Sequence, residues 1–282
     1  MSDNQKTGGS LVADLAMEKP IKVAGKIFNA GGDAKTSKGQ KGGVLTAIAY
    51  GAPSTLASTP TRRVNMCPKA SAGCIKGCLN TSGNGSFSNV QQARIRKTWL
   101  WLDDPQKFLE LAAADLARCA KRAAKEGMEL HVRPDGTTDA WTTWLALRWA
   151  ELTELVHARL KGDKWRKARA VFARCKVYTY TKRDPSQFQG LHKDVHVTFS
   201  WSERPDAPST ARAWMARGAN VAVVFRNRHT LEHYMSTGFL DRPVIDGDES
   251  DNRADDPRGV IVGLVAKGRA RKDTTGFVVD MT

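Results

Sequence analysis

The sequence lacks any run of about 18 apolar residues, so no membrane-spanning helix is expected. Its first twenty residues, MSDNQKTGGSLVADLAMEKP, lack a charged-then-apolar signal pattern, which points to a cytoplasmic location. It lacks an even number of cysteines: with five, a complete set of internal disulfides is excluded. It has no acidic excess, since 29 Asp and Glu face 44 Lys and Arg for a net charge of +15. The G-x-x-x-x-G-K-[ST] spacing of a phosphate-binding loop is missing, as is any internal repeat of fixed period. What is present suits a folded domain: 282 residues, 41% of them hydrophobic, with 8 Trp. A single α/β barrel commonly runs ~250 residues, so one large domain with an appendage fits the length.

Residues 1–43 are rich in Gly, Lys and Ser and read as a flexible arm. From residue 44 to 282 strands and helices alternate. VLTAIAYG (44–51), ELHVR (129–133), KVYTYT (176–181), DVHVTFSW (194–201), NVAVVF (220–225), RPVID (242–246) and GVIVGLVAK (259–267) read as strands. Helices are expected from Ser88, from the Asp-Asp-Pro at 103–105 to Gly127, over 143–160 and over 208–218. This alternation predicts a parallel sheet, because parallel strands need crossover connections. The fold class is α/β, a partial or full (β/α) barrel. In a barrel, the loops after the strands share one face, where active sites are built. That would gather Arg133, Asp135, Lys182, Arg183, Ser202, Glu203, Arg226, Asp246, Asp248 and Lys267 around one mouth.

The sharpest motif is CPKASAGCIKGC within a loop at 65–80, placing Cys67, Cys74 and Cys78 in a C-x6-C-x3-C spacing. Thiolates suit zinc or an iron–sulfur cluster. Gly73 and Gly77 are expected to let backbone approach such a group. Cys119 and Cys175 read as small buried apolar residues. Three thiolates leave one position of a 4Fe-4S cluster open, the arrangement in which an iron can take the amino and carboxylate groups of S-adenosylmethionine. A structural zinc with a histidine as fourth ligand is the alternative.

The blocks NMCPKASAGCIKGCLNTSGNG, ARIRKTWLW, HVRPDGTTDAW, YTYTKR, TFSWSE, NVAVVF, VIDGDESDNR and GVIVGLVAKG, in that order, resemble the phage gene-product-88-like family over residues ~44–280. Asp135 stands where that family's pattern carries an amide. The order of elements is also similar in architecture to the radical S-adenosylmethionine enzymes, which have a cysteine loop after the first barrel strand and a Gly/acidic motif after the second. By that analogy Asp135, Gly136, Thr137, Thr138 and Asp139 would shape the S-adenosylmethionine pocket, although the usual C-x3-C-x2-C spacing is absent.

Other motifs carry weaker signals. His229, Glu232 and His233 fit H-x-x-E-H, a zinc-peptidase pattern, against a plain surface helix. Asp246, Asp248 and Asp251 with Arg253 could bind Mg²⁺ or a substrate's polar groups, or form a polar turn. His192 and His196 read as structural. Trp201, at a strand end, is the best candidate for stacking on a ring; Trp99, Trp101, Trp141, Trp144 and Trp149 read as core. Nine basic residues between Lys161 and Arg183 attract polyanions or form a solvated helix face. The expected activity is an iron–sulfur, S-adenosylmethionine-dependent enzyme served by a reductant protein. Lys182, Arg183, Arg226 and Lys267 would hold an anionic substrate such as a nucleotide, DNA or RNA. The alternative is a zinc-stapled nucleic-acid-binding protein without catalysis.

Overall fold

The computed structural model describes residues 25–31, 39–188 and 195–281. Strands β1 (Phe28–Ala30), β2 (Val44–Ala49), β3 (Glu129–Arg133), β4 (Lys176–Thr181), β5 (Val195–Ser200), β6 (Asn220–Phe225), β7 (Val244–Asp246), β8 (Ile261–Val265) and β9 (Val278–Val279) form one sheet. Helices are α1 (Ala72–Lys76), α2 (Ser88–Asp103), α3 (Pro105–Glu126), α4 (Trp141–Leu147), α5 (Trp149–Arg159), α6 (Arg166–Ala173), α7 (Ala207–Met215) and α8 (Arg228–Thr237). No helix among the described residues is long and apolar enough to cross a membrane.

The strand order is β1-β2-β3-β4-β5-β6-β8-β7, with β9 on β6. Every pairing except the antiparallel β1–β2 is parallel. Stepwise neighbours are the order of a barrel wall, but β1 and β7 do not pair, so the sheet is open and a full barrel is corrected. The arm expected over 1–43 lies mostly outside the described residues. Its described part includes β1, whose neighbour Ile27 is fully buried.

Side-chain alternation divides the sheet into two unlike faces. Leu45, Ala47, Leu130, Val132 and Val177 pack outward into one apolar cluster, and Val197, Phe199, Val221, Val223 and Phe225 into a second. The alternate positions, Thr46, His131, Arg133, Tyr178, Tyr180, His196, Thr198 and Asn220, form a polar inner face. Helix α3 shows why the outer layer forms. Asp104 caps it by accepting from Lys107 N at 2.8 Å, Pro105 opens it, and Gly127 closes it at φ 67°. Between these stops Phe108, Leu109, Ala112, Leu116 and Ala120 are completely buried. The single helix expected over 143–160 is two, α4 and α5, because Arg148 leaves helical geometry beside the 76% exposed Leu147.

Two connections shape the inside. β7 and β8 pair directly, so residues 247–260 are not a helical crossover. They descend the inner face: Tyr178 Oη donates to Asp251 O at 3.5 Å, Lys176 meets Asp255, and Asn220 Nδ2 donates to Pro257 O at 2.8 Å. The chain's end supplies β9. It takes the edge of β6 beyond Ala222, on the side facing β5, because β8 already occupies the other edge at Val224.

Candidate functional site

At the carboxyl ends of the strands lies a cavity of about 1550 Å³, lined by Cys67, Cys74 and Cys78 together with Gly136, Asp139, Lys182 and Lys267. The three cysteines reach it from separate local structures. Cys67 sits in the loop after β2, its sulfur accepting from Ser54 N at 3.3 Å and facing Thr137 O at 3.7 Å. Cys74 rides on α1, whose N-cap Ser71 accepts from Cys74 N at 3.2 Å. Cys78 follows α1, and its sulfur accepts from Asn80 N at 3.5 Å. All three are free thiols. Burial pushes Cys67 up to about 12, reinforced by the neighbouring Asp139, Cys74 and Cys78. Burial raises Cys74 too, opposed by Lys182. A metal would therefore have to displace protons held more tightly than in free cysteine.

Gly73 and Gly77 also face the chain's own C-terminal segment. A Cβ at Gly73 would run into Thr275 Oγ1 and Phe277 Cβ, and one at Gly77 would approach Ala270. These glycines let α1 press against the chain's C-terminal segment. Glu203 fastens the same helix, its Oε1 accepting from Gly73 N at 2.7 Å.

The 135–139 turn follows β3 and faces the thiols, as expected. Gly136, Thr137, Thr138 and Asp139 line the cavity with Asp135. Asp135, however, is 2% exposed and its carboxylate is already filled. It accepts from the N–H groups of Ala140, Trp141 and Thr142 and from the hydroxyls of Thr138 and Thr142, at 2.5–3.2 Å. Its negative charge thus serves the N-terminus of α4 instead of a ligand's amino group. Asp139 accepts from Thr181 Oγ1 at 3.1 Å and Lys182 N at 2.9 Å. Burial pushes it up to about 7, and Asp135 adds to the shift. Lys182 spans toward β5, donating to Ser200 O, Ser200 Oγ and Trp201 O at 2.7–2.9 Å, and burial lowers its pKa.

Of the residues expected to hold substrate, Lys182, Asp248, Asp251 and Lys267 line the cavity. Lys267 pairs with Asp248 at 2.6 Å. Arg183, Ser202, Glu203, Arg226, Asp246 and Arg253 do not reach it. Arg183 turns outward to Thr143 and Gln187. Ser202 is buried. Arg226 is held by Asp280 and by the carbonyls of Arg271 and Asp273, which the β9 insertion brings to it. Asp246 pairs with Arg228, and Arg253 is buried against Asp256. Trp201 packs edge-on against Phe239 and does not line the cavity. His229, Glu232 and His233 are exposed on α8, with Glu232 paired to Arg228, and form no metal group. His192 lies outside the described residues. Cys119 is buried in α3, as expected of an apolar packing residue.

Sequence reasoning did not assign roles to Tyr50, Arg94, Lys97 and Tyr180, all of which line the cavity. The period-two pattern of KVYTYT carried the signal for Tyr180, because it puts both tyrosines on the face opposite Val177. A second group lies at the other end of the sheet. Glu129, His131 and Asp255 bring one ligand atom each within 4.8 Å of one another, which no other such trio does among the described residues. Lys176 sits between its two carboxylates, 3.1 Å from Glu129 and 2.5 Å from Asp255.

The family model described as Gene product 88 matches residues 26–281, and the chain belongs to that family. The match carries the expected resemblance N-terminally through β1. No curated protein and no solved structure matches the chain.

Proposed function

We propose, taking membership of the gene product 88 family as the premise, that this chain is a radical S-adenosylmethionine-type enzyme whose iron–sulfur cluster is held by Cys67, Cys74 and Cys78. The observation that carries the reading is that three free thiols line one cavity at the carboxyl ends of a parallel sheet. The donor set fits a cluster better than a lone ion. Four ligands at ~2.3 Å around zinc stand ~3.8 Å apart, whereas these three sulfurs do not gather within the 4.8 Å that marks the Glu129 trio. Thiolates are also the ordinary ligands of iron–sulfur clusters.

When bound, the cluster would supply one electron to S-adenosylmethionine, generating a radical that abstracts hydrogen from substrate. The chain's own residues do the rest. Ser54 N and Asn80 N donate to the sulfurs of Cys67 and Cys78, and the bond from Ser54 favours the charged form of Cys67. Lys182 places an ammonium group beside Cys74 and Asp139. The carboxyl of Asp139 can hold a proton near neutral pH. The cavity also exceeds the ~300–1,000 Å³ of an ordinary small-molecule site, leaving room for a cofactor and a substrate together.

Metal and sulfide analysis of the full chain purified without oxygen tests this reading. About three to four irons per chain, with absorption near ~400 nm, is the expected result. A colourless protein carrying zinc overturns it in favour of a zinc-stapled binding protein. Loaded protein that fails to cleave S-adenosylmethionine reductively overturns the enzyme.

A further inference from the structure

The inner face carries a row in which guanidinium groups and phenol rings alternate. Arg94, on α2, lies over the Tyr50 ring at 5.4 Å. Arg133, on β3, lies over the Tyr180 ring at 4.7 Å, and Tyr50 also stands beside Arg133. Arg94, Arg133, Tyr50 and Tyr180 all line the large cavity. Neither arginine has a carboxylate partner among the described residues. Arg133 spends Nε and Nη2 on the carbonyls of Asp135 and Gly136, at 3.1 and 3.4 Å, which fixes its direction. Arg94 is 9% exposed; it donates from Nη1 to Asn80, while its Nε is buried without a partner. Tyr180 is half-buried and lines the cavity. Thr198, paired with Tyr180 in the adjacent strand, has an unpartnered buried hydroxyl.

Burying a charge is costly unless it is paired, and a ring face returns only part of that cost. Two fixed guanidinium groups in one cavity, neither in direct ion-pair contact with a carboxylate although Asp251 lies near Arg133, are arranged for an anion that arrives from outside. Two positive charges match a dianion better than a single carboxylate, and the planar fork of arginine suits phosphate oxygens. We infer that Arg94, Arg133 and Tyr180 form a subsite for the phosphate group of a small phosphate monoester. This names a substrate class for the site proposed above, and rests on that reading only for the chemistry done to the substrate. The position favours a small molecule over a nucleic-acid strand. The row lies on the sheet's inner face, whereas the basic segment from Lys161 through α6 is exposed on the outer helical layer.

Titration calorimetry of the full chain with inorganic phosphate and with adenosine monophosphate tests the subsite, with ionic strength held constant by chloride. Both are expected to bind saturably, and acetate about tenfold or more weakly. Tyr180→Phe keeps the ring and is expected to weaken phosphate binding about tenfold. Arg133→Gln is expected to weaken it about a hundredfold. Arg133 also braces the 135–136 turn, so circular dichroism checks that variant's fold; should it misfold, Arg94→Gln takes its place. Equal affinity in wild type and Tyr180→Phe overturns the subsite, as does equal binding of acetate. Binding of an oligonucleotide without phosphate or adenosine monophosphate also overturns it and moves anion recognition to the outer surface. A chain with Cys67→Ala, Cys74→Ala and Cys78→Ala separates the two proposals. Phosphate binding that persists without metal supports the subsite whatever the thiols hold. A wild-type chain that loads iron and ignores phosphate overturns the subsite alone.

Discussion

The two ends of the sheet each gather groups that could take a metal, and they answer their charge differently. At the carboxyl ends, three thiols are half-buried, burial raises the pKa of Cys67 and Cys74, and the nearby Lys182 gives its hydrogen bonds to Ser200 and Trp201. At the amino ends, Glu129 and Asp255 already share an ammonium group in Lys176, and both carboxyls are held below their usual range. Close ligand spacing alone would choose the second place. The proposed cluster takes the first, because a site already neutralised by a lysine offers little electrostatic gain to an incoming cation.

The sharpest way to break this comparison is to remove the thiols. Cys67→Ala, Cys74→Ala and Cys78→Ala are each expected to abolish iron loading, while His131→Gln leaves iron per chain unchanged. Iron analysis that shows the reverse would transfer the metal to the amino ends. Next comes Asp135→Ala, which strips a buried carboxylate of five donors at the start of α4. A loss of about 3 kcal/mol is expected, beyond the ~1 kcal/mol typical of a helix cap, and denaturant midpoints would measure it. A loss below that of an ordinary cap would show that the turn stands without it.

At the amino ends, burial next to Arg258 and Arg253 pushes His196 down to about 4, with Asp255 opposing. Its folded pKa lies below its unfolded value, so the unfolded chain binds more protons in acid. This histidine's contribution is full above about 6.5 and is lost as pH falls toward about 4. The change is on the order of 3 kcal/mol. His196→Gln is expected to flatten that part of the stability-versus-pH curve; an unchanged slope would refute the assignment. The smallest effect belongs to Lys176→Met. Its pairs are well exposed, so a loss of no more than about 1 kcal/mol is expected, vanishing in high salt. A larger, salt-resistant loss would mean that the amino-end group holds the fold.

Much of the frame was legible because parallel strands, buried on both faces, announce themselves as apolar or β-branched runs. ELHVR, KVYTYT and NVAVVF begin and end where β3, β4 and β6 do. β1 and β9 are too short to announce anything, and their pairing depends on distant partners. That is also why half the expected mouth was misplaced. The β9 insertion draws Arg226 toward the chain's end, and the C-terminal segment packs on α1 beside Glu203; neither event leaves a local trace. The cysteine loop, Asp139 and Lys182 were readable because they follow strands directly. Arg133 and Tyr180 gain their meaning only from each other, across adjacent strands and on one side of the sheet.

Strand β1 forms one edge of the sheet. Asp115 accepts from the N–H groups of Ile27 and Phe28 at 2.6 and 2.9 Å, Lys97 donates to Ile27 O at 2.9 Å, and Arg122 reaches Ala30 O. Side chains from two helices thus occupy main-chain groups at and beside the sheet's edge strand, a place that would otherwise invite a foreign strand. A neighbouring molecule seeking to extend the sheet there would first have to pull these contacts apart, so the border is guarded against runaway self-association.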